Sequence, residues 1–145
     1  MYDAILFATD GSEAAATALD HAISTADAHG ATLHVLSVAD ERLALAADDT
    51  EATRDDLRER AQEAVDDAAN AASGSGVHVE TSVTDGVPFR EILAYAESEG
   101  VGLVVVGTHG REGREKRVNM GSTAERVVNQ ADRPVLVVRE TEESG

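Results

Sequence analysis

Apolar positions along this chain alternate between two rhythms: short runs of neighbouring residues, and stripes that repeat every three or four. The first run, Tyr2 to Ala8 with Ile5-Leu6-Phe7 at its centre, reads as a buried strand. It gives way at Thr9-Asp10-Gly11-Ser12-Glu13, where Asp10 is placed to cap a helix and Glu13 follows as in a capping box. Ala15, Ala18, Leu19, Ala22, Ile23 and Ala26 then mark a helix that Gly30 stops. Thr32 to Val38 is a second strand, apolar except for His34 and Ser37, as suits a strand covered on both faces. Ala39 to Asp49 reads as a connection with Leu43 and Leu45 available for packing.

From Thr50 to Ala72 the helical period returns, with Leu57, Ala61, Ala64, Val65 and Ala68 as the apolar stripe and acidic residues on the solvated remainder. Gly74-Ser75-Gly76 breaks it, and Val77 to Val83 alternates like a strand with one wetter face, near the sheet edge. Asp85-Gly86-Val87-Pro88 turns the chain, Pro88 opening a third helix that buries Phe89, Ile92, Leu93 and Ala96 and ends at Gly100. Val101 to Val106, the most hydrophobic strand, is expected to lie centrally. A glycine-containing loop leads to a fourth helix, Ser122 to about Gln130, with Ala124, Val127 and Val128 inward. Arg133-Pro134 introduces a fifth strand, Val135 to Val138.

Five strands alternating with four helices predict a doubly wound α/β fold around a five-stranded parallel sheet, because parallel neighbours need helical crossovers. With 145 residues the chain is expected to be a single domain spanning residues 1–145, burying roughly two-thirds of its unfolded surface. In strand order 3-2-1-4-5 the loops after strands one and four open onto one crevice at the carboxyl rim, where such sheets bind ligands.

The second of those loops carries an anion-binding signature. Val104-Val105-Val106 empties into Gly107-Thr108-His109-Gly110, crosses a segment holding Arg111, Arg114, Lys116 and Arg117, and reaches Gly121-Ser122-Thr123 at the head of a helix. Glycines permit positive φ and close approach to a ligand, and the first amides of a helix lack internal partners, so phosphate is the natural guest.

Charge changes the picture locally. The formal net charge is −16, with 12 Lys+Arg against 28 Asp+Glu, yet four of the basic residues fall between Arg111 and Arg117. Those side chains either recruit an anion or solvate the loop and pair with Glu112 and Glu115; the adjacent glycines and Ser122-Thr123 favour phosphate.

Overall acidity argues against nucleic-acid partners. The N-terminus lacks a signal-peptide pattern and no apolar stretch is long enough to span a bilayer, so the expected location is the cytoplasm, away from membranes. The absence of cysteine removes disulfides, thiolate nucleophiles and Cys-based zinc sites. Many carboxylates with a single lysine, Lys116, suit work in concentrated salt, a halophilic character.

Taken together, Ile5-Leu6-Phe7-Ala8-Thr9-Asp10-Gly11-Ser12, Gly86-Val87-Pro88, Val104 to Gly110, Gly121-Ser122-Thr123 and Arg133 to Val138 resemble the universal stress protein family over nearly the whole length. The resemblance implies a Rossmann-like fold of the adenine nucleotide alpha hydrolase type. It further implies a dimeric stress-response module that binds ATP or a related adenine nucleotide and acts on a protein partner. The family's nucleotide-binding branch carries Gly-x2-Gly-x9-Gly-Ser/Thr. Here Gly107 and Gly110 keep the first spacing, but ten residues, Arg111 to Met120, separate Gly110 from Gly121, one more than the pattern. Carried over, the family's roles put Asp10 near the ribose or a metal, beside Thr9, and Val38 main-chain groups at adenine. Gly107, Thr108, Gly110, Gly121, Ser122 and Thr123 would line the phosphates, with His109 and Arg111 as secondary candidates. Asp10 as a helix cap and Val38 as a core valine remain the simpler alternatives. Mg²⁺ would bridge phosphate oxygens and not sit in a protein cage.

No residue is assigned a catalytic role. His109 is a lone loop histidine, the other histidines lack ligand spacing, and no Walker-type Gly-x4-Gly-Lys-Ser/Thr motif occurs. A slow ATP hydrolase or self-phosphorylating enzyme using Asp10, His109 and Ser122, and a nucleotide-free structural dimer, are the alternatives. The terminal strand, short and apolar, is the expected surface for homodimer pairing.

Overall fold

The computed structural model describes residues 1–108 and 117–140. Its strands are β1 (Ala4–Ala8), β2 (Thr32–Asp40), β3 (Val79–Gly86), β4 (Leu103–Thr108) and β5 (Val135–Arg139). Its helices are α1 (Glu13–His29), α2 (Glu41–Ala46), α3 (Thr50–Ala72), α4 (Pro88–Glu99) and α5 (Arg117–Gln130). The strands form one sheet in the expected order, β3-β2-β1-β4-β5, and all four pairings are parallel.

Side chains alternate across that sheet and split the core in two. Ile5, Phe7, Leu33, Val35, Leu103 and Val105 face α1 and α3, whose contribution is largely alanine: Ala15, Ala18, Ala22, Ala26 and Ala68. Leu6, Leu36, Val104 and Val106 face α4 and α5, where Phe89, Ile92, Ala124 and Val127 meet them. The alanine face lets helix backbones come close to the strands. Gly107 records how close: a Cβ there would stand 2.8 Å from the carbonyl carbon of Ala14 and 3.2 Å from the amide nitrogen of Ala15.

Several boundaries differ from the sequence reading. The β1 strand starts at Ala4, where pairing with Thr32 begins. β2 runs on to Asp40 because β3 pairs with it as far as Asp40↔Gly86, which also draws Asp85 and Gly86 out of the expected turn. The supposed connection after it contains α2, capped by Asp40, whose carboxylate accepts from the Arg42 amide. The Val101 amide donates to the Ala96 carbonyl and closes the end of α4, so β4 begins only at Leu103. It continues through Gly107↔Val138 and Thr108↔Arg139, one place from the sheet centre, which β1 holds.

Two corrections bear on chemistry. Asp10 is not the cap of α1: Gly11 adopts φ 80°, the chain turns, and Ser12 becomes the cap, accepting from the Ala15 amide at 3.2 Å. In addition, α5 begins at Arg117, so Gly121, Ser122 and Thr123 lie inside a helix and not ahead of it. Helix-interior amides bond to carbonyls four residues back, and an interior glycine is tolerated at about 1 kcal/mol. On this helix Ala124 and Val127 are buried while Val128 is exposed, since successive positions rotate about 100° around the axis. Leu93 is likewise only half-buried.

Candidate functional site

A cavity of about 350 Å³ opens at the carboxyl rim of the sheet, within the range of small-molecule sites. It lies at the reversal of strand order, where β1 has β2 on one side and β4 on the other. Each lining segment reaches it for a local reason.

The turn after β1 supplies Thr9, Asp10 and Ser12. Gly11 at positive φ makes the bend, the Thr9 hydroxyl accepts from the Gly11 amide at 3.0 Å, and an Asp10 carboxylate oxygen accepts from the Ser12 amide at 2.9 Å. From beneath, the Ser37 hydroxyl, almost fully buried, donates to the Thr9 carbonyl at 2.7 Å, and the Thr9 amide donates to the Leu36 carbonyl. The turn is therefore fixed before any ligand arrives.

The end of β2 supplies Val38 and Asp40. Because the Leu36 carbonyl bonds toward β1 and main-chain groups alternate sides along a strand, those of Val38 also turn toward β1, beyond its last residue. The Val38 side chain packs against the α4–α5 half of the core.

The helices α2 and α3 form one wall, with Arg42, Leu43, Leu57, Arg60 and Ala61. Ion pairs hold this wall: Arg42 with Asp40 at 3.0 and 2.8 Å, Arg54 with Glu41, and Arg58 with Asp85 of β3. The Arg54 hydrogen bond holds Glu41 below the ordinary carboxylate range, and Arg58 does the same for Asp85. The pairing with Asp40 raises the Arg42 guanidinium.

Opposite them stand Val106 and Gly107 of β4 and Ser122, Thr123 and Ala124 of α5. Gly107 takes no positive φ and makes no turn; its missing Cβ is required by the α1 backbone. The glycine is thus a packing requirement, and the close approach it permits is that of a helix.

Of the residues singled out from sequence, Thr9, Asp10, Val38, Gly107, Ser122 and Thr123 line one cavity. Thr108 does not line it; its carbonyl accepts from the Glu140 amide at 2.7 Å. Gly121 sits within α5, directly before Ser122. His109, Gly110 and Arg111 lie outside the described residues, as do Arg114 and Lys116. Among the described residues no group of three His, Asp or Glu is arranged to hold a metal ion, and no helix is long and apolar enough to cross a membrane.

Sequence reasoning missed Ser12, Ser37 and the whole α2–α3 wall. For Ser37 a signal existed, a lone hydroxyl in a strand apolar on both faces. For Arg42 and Arg60 there was none, because nothing local distinguishes them from other arginines on acidic helices.

The family model described as the universal stress protein family matches residues 1–139. Universal stress protein MJ0531 of Methanocaldococcus jannaschii is 37% identical over 142 residues, covering 96% of this chain and 83% of its own. The solved structure of MJ0577 from the same organism, 30% identical, superposes with a TM-score of 0.85 and 99% of each chain covered. A universal stress protein from Archaeoglobus fulgidus, solved in complex with dAMP, shares the fold at 20% identity, with a TM-score of 0.70 over 95% of this chain and 98% of that one.

Proposed function

The chain belongs to the universal stress protein family, and we propose that it is a binding module that holds an adenine nucleotide, ATP foremost, in the rim cavity and changes its partner-binding surface accordingly. One observation carries this reading: the turn after β1, Gly107 of β4 and Ser122 and Thr123 of α5, distant in sequence, line a single cavity at the strand-order reversal. At 20% identity the dAMP-bound relative contributes the fold alone, so the argument stands on this chain's own lining.

Within the cavity we place adenine against the end of β2, where the Val38 main-chain groups project past β1. Apolar walls for the base come from Val38, Leu43 and Leu57. Asp10 keeps one carboxylate oxygen occupied by the Ser12 amide, and the other is assigned to the ribose or to Mg²⁺ carried on the phosphates. Ser122 and Thr123, beside Gly107, take the phosphate end, and His109, Gly110 and Arg111, outside the described residues, are assigned to it from the family pattern; Gly121, inside α5, is not. Bound Mg²⁺ would neutralise phosphate charge, which matters in a chain of net charge −16.

Copies are proposed to pair through β5. That strand ends the sheet, and Val137 presents an exposed apolar side chain on it. No residue of β5 lines the cavity.

Equilibrium dialysis with labelled ATP, with and without Mg²⁺, tests the reading. Saturable binding below millimolar ligand is the expected result. No binding up to millimolar ATP would overturn it and leave a nucleotide-free module.

A further inference from the structure

Four charged side chains line the described part of the cavity: Asp10, Asp40, Arg42 and Arg60. Two of them cancel. Arg42 makes a two-point pair with Asp40 at 3.0 and 2.8 Å, and the same carboxylate accepts from the Arg42 amide to cap α2. Its guanidinium is committed to holding the helix start. Arg60 is held differently, by one contact at 3.3 Å to Asp56 a turn earlier on the same helix, with both side chains more than half exposed. Such a surface pair across one helical turn is weak and exchanges readily for a better anion.

The position of α3 aims Arg60. Leu57, Arg60, Ala61 and Ala64 share one helical face by their spacing, and the first three line the cavity. Ala64 seats that face on the turn after β1: its Cβ lies 3.6 Å from where a Cβ on Gly11 would stand. Arg60 stands one turn before Ala64 with its guanidinium directed toward Asp56, and it lines the same cavity as the Thr9–Asp10 turn.

We propose that Arg60 is a phosphate-recognising side chain of this cavity, leaving Asp56 for the anionic tail of the bound nucleotide and thereby setting a preference for phosphorylated over unphosphorylated adenine ligands. This deepens the nucleotide reading and rests on it. The α2–α3 wall then reads the ligand's charge, and Arg60 supplies a cation from the side of the cavity opposite Ser122 and Thr123.

The test compares ATP and adenosine binding, by titration calorimetry or dialysis, in the full chain and in Arg60→Gln, Arg60→Lys and Asp56→Asn. Arg60→Gln is expected to weaken ATP about five- to tenfold and leave adenosine unchanged, since one charge-assisted contact to phosphate is removed. Arg60→Lys should recover much of that loss, and Asp56→Asn should tighten ATP about twofold by releasing the arginine. Unchanged ATP affinity in Arg60→Gln, or equal weakening of ATP and adenosine, would overturn the assignment while leaving the nucleotide reading intact. An unmodified chain that binds neither ligand overturns that reading, and the assignment with it.

Discussion

On the β1–β2–β3 side of the cavity the backbone is fixed by side chains, whereas on the β4 side it is fixed by the lack of one. The turn after β1 is held by the Thr9 hydroxyl, the Asp10 carboxylate and the buried Ser37 hydroxyl, and the adjoining α2–α3 wall by three arginine–carboxylate pairs. Across the cavity Gly107 continues β4 as an ordinary strand residue while the α1 backbone occupies the space its Cβ would fill. Each side has a glycine near the carboxyl end of its strand, Gly11 just past β1 and Gly107 within β4, yet the glycines answer different needs. Gly11 provides a positive φ, and Gly107 provides room.

Substituting alanine at each glycine separates these needs, with the largest expected effect at Gly107. A methyl there meets main-chain atoms of Ala14 and Ala15, which cannot rotate away as a side chain can. Either β4 or α1 must shift. Overpacking of this kind costs about 1–3 kcal/mol, and Gly107→Ala is expected near the upper end. At Gly11 the added Cβ would lie 3.6 Å from Ala64, an ordinary contact, and the penalty is the left-handed backbone at φ 80°, about 1–2 kcal/mol. Urea unfolding measures both. Asparagine tolerates that backbone best among the other residues, so Gly11→Asn should recover part of the loss and Gly107→Asn none. A neutral Gly107→Ala would break the comparison.

This pair also shows how far the sequence could be read. Hydrophobic periodicity is enough for the five strands and for α3, Thr50 to Ala72, because both follow from which side chains must be buried, whereas the strand order is an expectation of the doubly wound fold and not of the periodicity. Gly107 was visible as a glycine, but its reason lies in α1, more than ninety residues earlier, and no local pattern carries that distance. α5 starts earlier than the sequence suggests because Gly121-Ser122-Thr123 looks like a helix entrance, while Arg117 to Met120 carry no breaker to prevent an earlier one. Asp10 suits a cap position by residue type, but the turn at Gly11 hands that position to Ser12. Thr9, Asp10, Val38, Gly107, Ser122 and Thr123 were legible as cavity residues from the two strand ends and the family resemblance. The α2–α3 wall was not, since its place depends on ion pairs between segments far apart in sequence, such as Arg58 with Asp85.

A smaller effect is expected at Ser37. Its hydroxyl donates to the Thr9 carbonyl from an almost fully buried position in β2, and Ser37→Ala removes the donor without adding bulk. The carbonyl is only partly shielded, so the loss should be about 1 kcal/mol of stability. The informative readout is amide hydrogen exchange. Protection should fall at Gly11 and Ser12, whose amides depend on the turn, and stay unchanged in α5. Equal loss on both sides of the cavity would mean that the turn is not independently held.

The smallest effect separates the two sides by pH. Glu41 and Asp85 lie below their ordinary values of 4.5 and 3.8, each chiefly through a hydrogen bond from an arginine, Arg54 and Arg58 respectively. A carboxylate lowered in the folded state adds stability that is fully present above its unfolded value and lost as pH falls through the folded one. The ion-paired wall should therefore keep its hold at neutral pH and loosen from about pH 4 downward. The contact of Gly107 with α1 involves no titrating group and should not respond. Hydrogen exchange at about pH 6 and about pH 3, corrected for intrinsic rates, should show protection falling in α2 and the first turns of α3 while β4 keeps its own. Glu41→Gln should reproduce part of that loosening at neutral pH, because the amide keeps the shape and gives up the charge. If acid loosened β4 as much as α2, the ion pairs would be bracing the sheet as a whole and the two sides of the cavity would not be independently held.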